Sequence, residues 1–172
     1  MKKLCLVSVL IVLVLISGCS NKNITQTKTV SPPEKYSVNL DVAFRNIKMT
    51  ALMTKLSPKK VEIQILSPEI MTPLSLLYEN GVCTVTYDGL KFETDLNRFP
   101  QVAFGALLTE SIANIREGID IQTTYADGIW TYKGTGERGI FVLTRDAETG
   151  AWLELSIEGA QLQVVFSEFK HI

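Results

Sequence analysis

From Tyr36 onward the chain alternates apolar and polar residues in short runs broken by turn residues, and this period of two predicts β-strands. Val38, Leu40, Val42 and Phe44 alternate with polar neighbours, and Arg45-Asn46 turns the chain into a second run, Ile47 to Leu56. Ser57-Pro58 ends that run. Val61, Ile63 and Ile65 form a third, closed by Ser67-Pro68. Leu74 to Tyr78, Val82 to Tyr87 and Leu90 to Thr94 follow, joined by Asn80-Gly81 and Asp88-Gly89. Such pairs favour two-residue hairpins because both central residues must adopt positive φ. The six runs read as one meander.

The period then changes. Leu96 to Pro100 leads into a segment, Gln101 to Glu117, in which Phe104, Leu107, Leu108, Ile112 and Ile115 recur at three- and four-residue spacing. That spacing predicts an amphipathic helix, with Pro100 suited to its start and Gly118 to its C-cap. Strand patterning returns over Ile119 to Tyr125 and Ile129 to Lys133, flanking Asp127-Gly128, with Gly134-Thr135-Gly136 as a hairpin turn. Gly139 to Thr144, Trp152 to Glu158 and Leu162 to Phe169 complete the chain. In the run from Trp152, the residues Leu153, Leu155 and Ile157 form the apolar face, and Trp152 falls on the polar one with Glu154.

About ten strands and one amphipathic helix predict a mainly β (α+β) domain. Its curved antiparallel sheet would form a half-barrel, with the apolar concave face wrapped around the helix stripe. The competing layout is a closed barrel without the helix inside, which leaves the stripe needing another cover. In a fully packed domain the stripe is plain core. In a half-barrel with space left over, Phe104, Leu107, Leu108, Ile112 and Ile115 would floor an acyl-chain pocket.

The N-terminus has a different character. Lys2 and Lys3 precede an apolar run, Leu4 to Ile16, too short for the ~20 residues of a membrane-spanning helix. Behind it stands Ile16-Ser17-Gly18-Cys19, which resembles the lipobox of bacterial lipoproteins. The resemblance implies cleavage before Cys19 and lipid attachment to its thiol, on the extracytoplasmic face of the cell membrane. With Ser20 in place of the aspartate that retains lipoproteins at an inner membrane, the expected address in a Gram-negative cell is the outer membrane. The organisation expected is residues 1–18 as signal peptide, 19–35 as lipidated tether and 36–172 as one domain. The tether reading follows from Ser20 to Pro33, rich in Ser, Asn, Lys and Thr, which offers too little apolar surface to offset its ordering entropy.

Removing residues 1–18 from the 172 leaves 154, enough for a single core. The n-region lysines leave with them, so 15 Lys and Arg face 18 Asp and Glu, a formal charge of −3. That balance gives no reason to expect nucleic acid as a partner. Of three cysteines, Cys5 lies in the apolar run and Cys19 in the lipobox, leaving Cys83 without a partner in its own chain. Cys83 alternates with Val85 and Tyr87 on one strand face, which favours burial over the other reading, an intermolecular disulfide with a second copy or another protein.

No catalytic constellation stands out. The single histidine, His171, is the penultimate residue, and no spacing of His, Cys and carboxylates suits a metal. Gly134-Thr135-Gly136 lacks the lysine and following helix of a phosphate loop. The acids Asp88, Glu93, Asp95, Asp146 and Glu148 all lie in or beside turns. Trp130, Tyr132 and Trp152 read first as strand residues filling the core, with a lipid- or glycan-binding surface as the other reading. No cofactor is expected.

The order of elements is similar to that of the half-barrel lipoprotein-carrier superfamily, the LolA/LolB-like fold. Carrying the resemblance are VEIQILSPE, then LSLLYENGVCTVTYDGLKFETDL with its VTYDGLKFE hairpin, then a helix and a second meander. Within that superfamily the chain also resembles the small clostridial lipoproteins that bind and activate a spore-cortex amidase. One departure is that Tyr36 to Phe44 reads as strand where the carriers begin with a helix. The resemblance implies a non-enzymatic binding lipoprotein with a lipid or acyl ligand. The alternative is a regulatory module holding a cell-envelope enzyme at the membrane.

Overall fold

Three two-residue turns set the local geometry of the sheet. Asn80 and Gly81 take φ of 51° and 83°, and Asp88-Gly89 and Asp127-Gly128 repeat this pairing of positive φ. Turns of this kind match the twist of the strands they join and impose antiparallel pairing on them. The computed structural model describes residues 34–94, 103–118, 120–136 and 138–172. The signal peptide, Cys19, the tether up to Pro33 and the predicted helix start at Pro100 and Gln101 lie outside the described residues.

The strands are β1 (Tyr36–Phe44), β2 (Ile47–Ser57), β3 (Lys60–Ser67), β4 (Leu74–Glu79), β5 (Val82–Tyr87) and β6 (Leu90–Thr94). After the helix α1 (Ala103–Glu117) come β7 (Gln122–Ala126), β8 (Ile129–Gly136), β9 (Gly139–Asp146), β10 (Trp152–Ile157) and β11 (Leu162–His171). They form one 11-stranded sheet in the order β6-β5-β4-β3-β2-β1-β11-β10-β9-β8-β7. Each arm is a meander, and the arms join where β1 pairs with β11, from Tyr36↔His171 to Phe44↔Leu162. The turn after β1 is tied across this seam, the Arg45 N–H donating to the Gln161 carbonyl at 2.8 Å. The sheet is open and curved, a half-barrel with β6 and β7 as its edges.

The apolar positions of the strands line the concave face. Tyr36, Val38, Leu40, Val42 and Phe44 are all buried, as are Ile63 and Ile65 on β3 and Leu155 and Ile157 on β10. Across this face lies α1, with Phe104, Leu107, Leu108 and Ile112 buried and Ile115 packed against the core. Full burial of a side chain such as Leu108 contributes about 1.5–3 kcal/mol. The helix ends as its sequence predicts. Gly118 takes a φ of 68°, and its N–H donates to the Asn114 carbonyl at 3.0 Å.

Three expectations are corrected. Gly134-Thr135-Gly136 is not a turn, because β8 continues through it, pairing Gly134 with Phe141 and Gly136 with Gly139. Glycine stands at 134 for want of room: a Cβ there would lie 2.5 Å from Ile121 Cδ1 and 2.6 Å from the Phe141 ring. Trp152 is buried rather than on the polar face. The register of β10 against β9 shifts between Trp152 and Glu154, a bulge that turns Trp152 onto the face of Leu155 and Ile157. Finally, β7 starts at Gln122, after Asp120 and Ile121, and is exposed along its whole length; its predicted start at Ile119 lies outside the described residues.

Candidate functional site

The helix does not fill the half-barrel evenly. It packs chiefly on β8 and β9, with the Phe104 ring 6.4 Å from that of Phe44. Towards β1–β4 a cleft of about 850 Å³ remains between helix and sheet, within the ~300–1,000 Å³ range usual for small-ligand sites. Its sheet wall carries Tyr36, Met53, Lys55, Val61 and Tyr78, and the turns Pro58-Lys59 and Asn80-Gly81 form its rim. The helix wall is Ala106, Thr109, Glu110, Ile112, Ala113 and Arg116, ending at Glu117.

Of the five stripe residues, Ile112 lines this cleft, while Phe104, Leu107, Leu108 and Ile115 face the packed core. Large apolar side chains are drawn to the best-packed face, so the open space lies beside the stripe, over the smaller Ala106 and Ala113. The Thr109 hydroxyl, which could otherwise demand a partner in the cleft, donates back to the Gly105 carbonyl at 2.9 Å. Gly105 lets the Tyr78 ring slide against the helix, since a Cβ there would lie 2.5 Å from the Tyr78 hydroxyl oxygen. Burial pushes the Tyr78 hydroxyl well above its ordinary range, with Cys83 beside it adding to the rise.

One end of the cleft is cationic. Lys55 is only 6 % exposed although it is charged, because it continues the buried series Met49, Ala51, Met53 along β2. Its ammonium lies 5.7 Å from the centre of the Tyr36 ring. Burial lowers the Lys55 pKa, the Arg116 charge lowers it further, and Glu34 opposes both. Tyr36 is fully buried, and its hydroxyl and the neighbouring Trp152 indole N–H each lack a well-formed hydrogen bond. Burial pushes the Tyr36 hydroxyl up to about 12, opposed by the Trp152 indole N–H directed at its oxygen and by the Arg116 charge.

Cys83 is 2 % exposed on β5 and carries a free thiol, its pKa raised by burial and eased by a hydrogen bond with Tyr78. A disulfide to another chain would require that strand to move. Tyr132 and Trp152 are buried, and Trp130 packs against the core. Together Tyr132 and Trp152 enclose Arg145, whose guanidinium lies 5.3 Å and 5.8 Å from their rings. His171 is exposed at the end of β11, 6.0 Å from Phe169. Among the described residues no group of three or more His, Cys, Asp or Glu could hold a metal ion.

The sequence reading overlooked Tyr36, Met53, Lys55, Tyr78 and Arg116 as cleft residues. A signal for Lys55 was present: a lysine standing in step with Met49, Ala51 and Met53 occupies the buried face of its strand. Nothing local links it to Arg116, which comes from another element.

No protein-family model matches the chain, and no curated protein does. Among solved structures it is similar to an uncharacterized conserved protein from Thermus thermophilus, with a TM-score of 0.55 and 9% identity over 80% of this chain and 78% of that one. A LolA superfamily protein from Nitrosomonas europaea aligns with a TM-score of 0.47 and 12% identity, over 85% of this chain and 90% of that one. LprF from Mycobacterium bovis aligns with a TM-score of 0.36 and 14% identity, over 79% and 86%. At such identities the likeness extends to the fold alone.

Proposed function

We propose that the protein is a non-enzymatic lipoprotein of the cell envelope whose half-barrel takes up an acyl or lipid ligand. In this reading residues 1–18 are removed, a lipid on Cys19 anchors the chain outside the cytoplasm, residues 19–35 form the tether and 36–172 the binding domain. The observation that carries the ligand reading is the cleft of about 850 Å³ beside α1, with Met53, Val61, Tyr78 and Ile112 as apolar wall. A cleft with apolar walls favours an apolar guest, since its walls and the guest leave water together. The test is native mass spectrometry of the full chain extracted from cells. A bound lipid, lost when Ala113→Trp fills the cleft, is the expected result. Protein that stays empty when acyl lipids are offered would overturn the reading.

A second reading, an interaction module for a cell-envelope enzyme, is favoured by the β5–β6 hairpin, where Tyr87, Leu90 and Phe92 are exposed. Exposed apolar groups on an edge hairpin suit a protein contact. Substituting Tyr87 and Leu90 with serine should abolish co-purification of such an enzyme while leaving lipid content unchanged.

A further inference from the structure

Lys55 and Arg116 face the same end of the cleft from opposite walls, one on β2 and the other on α1. Neither forms an ion pair: among the described residues these are Lys60 with Glu79 and Lys170 with Glu168. The Lys55 side chain is buried along its length and its ammonium meets the cleft, where partial loss of water is unfavourable unless an anion or hydrogen-bond acceptors compensate it. Beside Lys55 stands the Tyr36 ring on the cleft wall, its buried hydroxyl approached by the Trp152 indole N–H and left without an acceptor for its own proton. Two cations and a hydroxyl whose own proton has no acceptor among the described residues thus converge where the apolar wall of Met53 and Ile112 ends.

Resting on the reading that the cleft takes an acyl ligand, we infer that the ligand is an anionic amphiphile. Its carboxylate or phosphate is received by Lys55, Arg116 and the Tyr36 hydroxyl, and its chain lies against Met53, Val61 and Ile112. The ammonium offers a point charge, the guanidinium a planar set of donors and the hydroxyl one neutral donor, a combination that suits an oxyanion. A neutral amphiphile would leave the Lys55 charge and the Tyr36 hydroxyl uncompensated. Glu34, before β1, acts on the Lys55 charge from nearby but forms no ion pair with it.

The test uses the full chain reconstituted in phosphatidylcholine vesicles and photoactivatable probes of one chain length, differing only in headgroup: a fatty acid, an alkyl phosphate and the uncharged alcohol. Labelled peptides are read by mass spectrometry. Both anionic probes should label peptides containing Met53 or Ile112 about tenfold more than the alcohol, the worth of one charge-assisted hydrogen bond. Lys55→Met should abolish that preference, with labelling by the alcohol equal to or above wild type and an unchanged circular dichroism spectrum reporting that the variant is folded. Lys55→Arg should keep the preference, and Arg116→Gln and Tyr36→Phe should each reduce it.

Equal labelling by alcohol and anions, or a preference that survives Lys55→Met, would overturn the inference. Inorganic phosphate that displaces the probes as well as an unlabelled fatty acid does would also overturn it, in favour of a small-anion site. Labelling of no cleft peptide by any probe would instead sink the acyl-ligand reading on which the inference rests.

Discussion

Arg145 on β9 and Lys55 on β2 both stand on the buried face of the sheet, in opposite arms, at 5 % and 6 % exposure. In the C-terminal arm, the rings of Tyr132 and Trp152 lie against the Arg145 guanidinium. The helix packs over this arm, on β8 and β9. In the N-terminal arm, Lys55 has the ring of Tyr36 beside it, an opposing cation on the helix and open space in front. Two similar positions in two similar meanders thus carry opposite assignments. The Arg145 guanidinium is walled in by two rings, its Nε without a hydrogen-bond partner among the described residues, whereas the Lys55 charge stands beside a cleft. The asymmetry begins with where α1 rests.

Altering each side of the helix in turn puts this asymmetry to its most severe test. Leu108→Ala, on the packed side, should destabilise the protein by about 2–5 kcal/mol in urea unfolding. Ala113→Leu, on the exposed cleft side, should stay within about 0.5 kcal/mol of wild type while reducing ligand uptake. Equal losses from the two would mean that the cleft side is as closely packed as the core.

A smaller effect is expected within the packed arm. Gly134→Ala drives a Cβ into Ile121 and Phe141 and should cost about 1–3 kcal/mol, read from the shift in melting temperature. The two cations themselves come next. Arg145→Met removes two cation–ring contacts and should destabilise by about 1–2 kcal/mol. Lys55→Met replaces an unpaired, partly desolvated charge by an apolar chain and should be neutral or stabilising by up to about 1 kcal/mol, with loss of anion binding. A matching loss of stability in both variants would erase the distinction drawn here.

The smallest predicted effect is a dependence on pH. The Lys55 pKa is lowered in the fold from its ordinary 10.5, by burial and by Arg116, with Glu34 opposing. Tyr36, Lys59, Tyr78, Glu110, Arg116 and Glu117 are the other titratable or charged groups on the same cleft. Between the lowered folded value and 10.5 the unfolded chain binds the proton that the folded chain has released, so the Lys55 contribution to stability rises with pH. The stability advantage of Lys55→Met over wild type should therefore shrink as pH climbs towards 10.5, measured by urea unfolding of both proteins. An advantage that stays constant or grows over that range would contradict the assignment.

Much of this molecule was legible residue by residue. The alternation along Tyr36–Phe44 and the turn pairs Asn80-Gly81, Asp88-Gly89 and Asp127-Gly128 are instructions of a few residues' range, and the strands and hairpins follow them. The helix stripe is equally local, because residues three and four apart share a face whatever lies opposite. Where the reading failed, the decisive interaction was not local. Gly134 is glycine because of Phe141 and Ile121, and Trp152 changes face because β10 bulges against β9.

The strands, their turns, the apolar side of the helix and a lysine set in a buried series are thus written directly into the chain. Assembly added the rest: β1 closes on β11, the helix settles towards β8 and β9, and Arg116 comes to face Lys55 across open space. The reason is range. Backbone preference and periodicity act over a few residues, whereas seam, cleft and facing charges depend on how the whole curved sheet closes over its core.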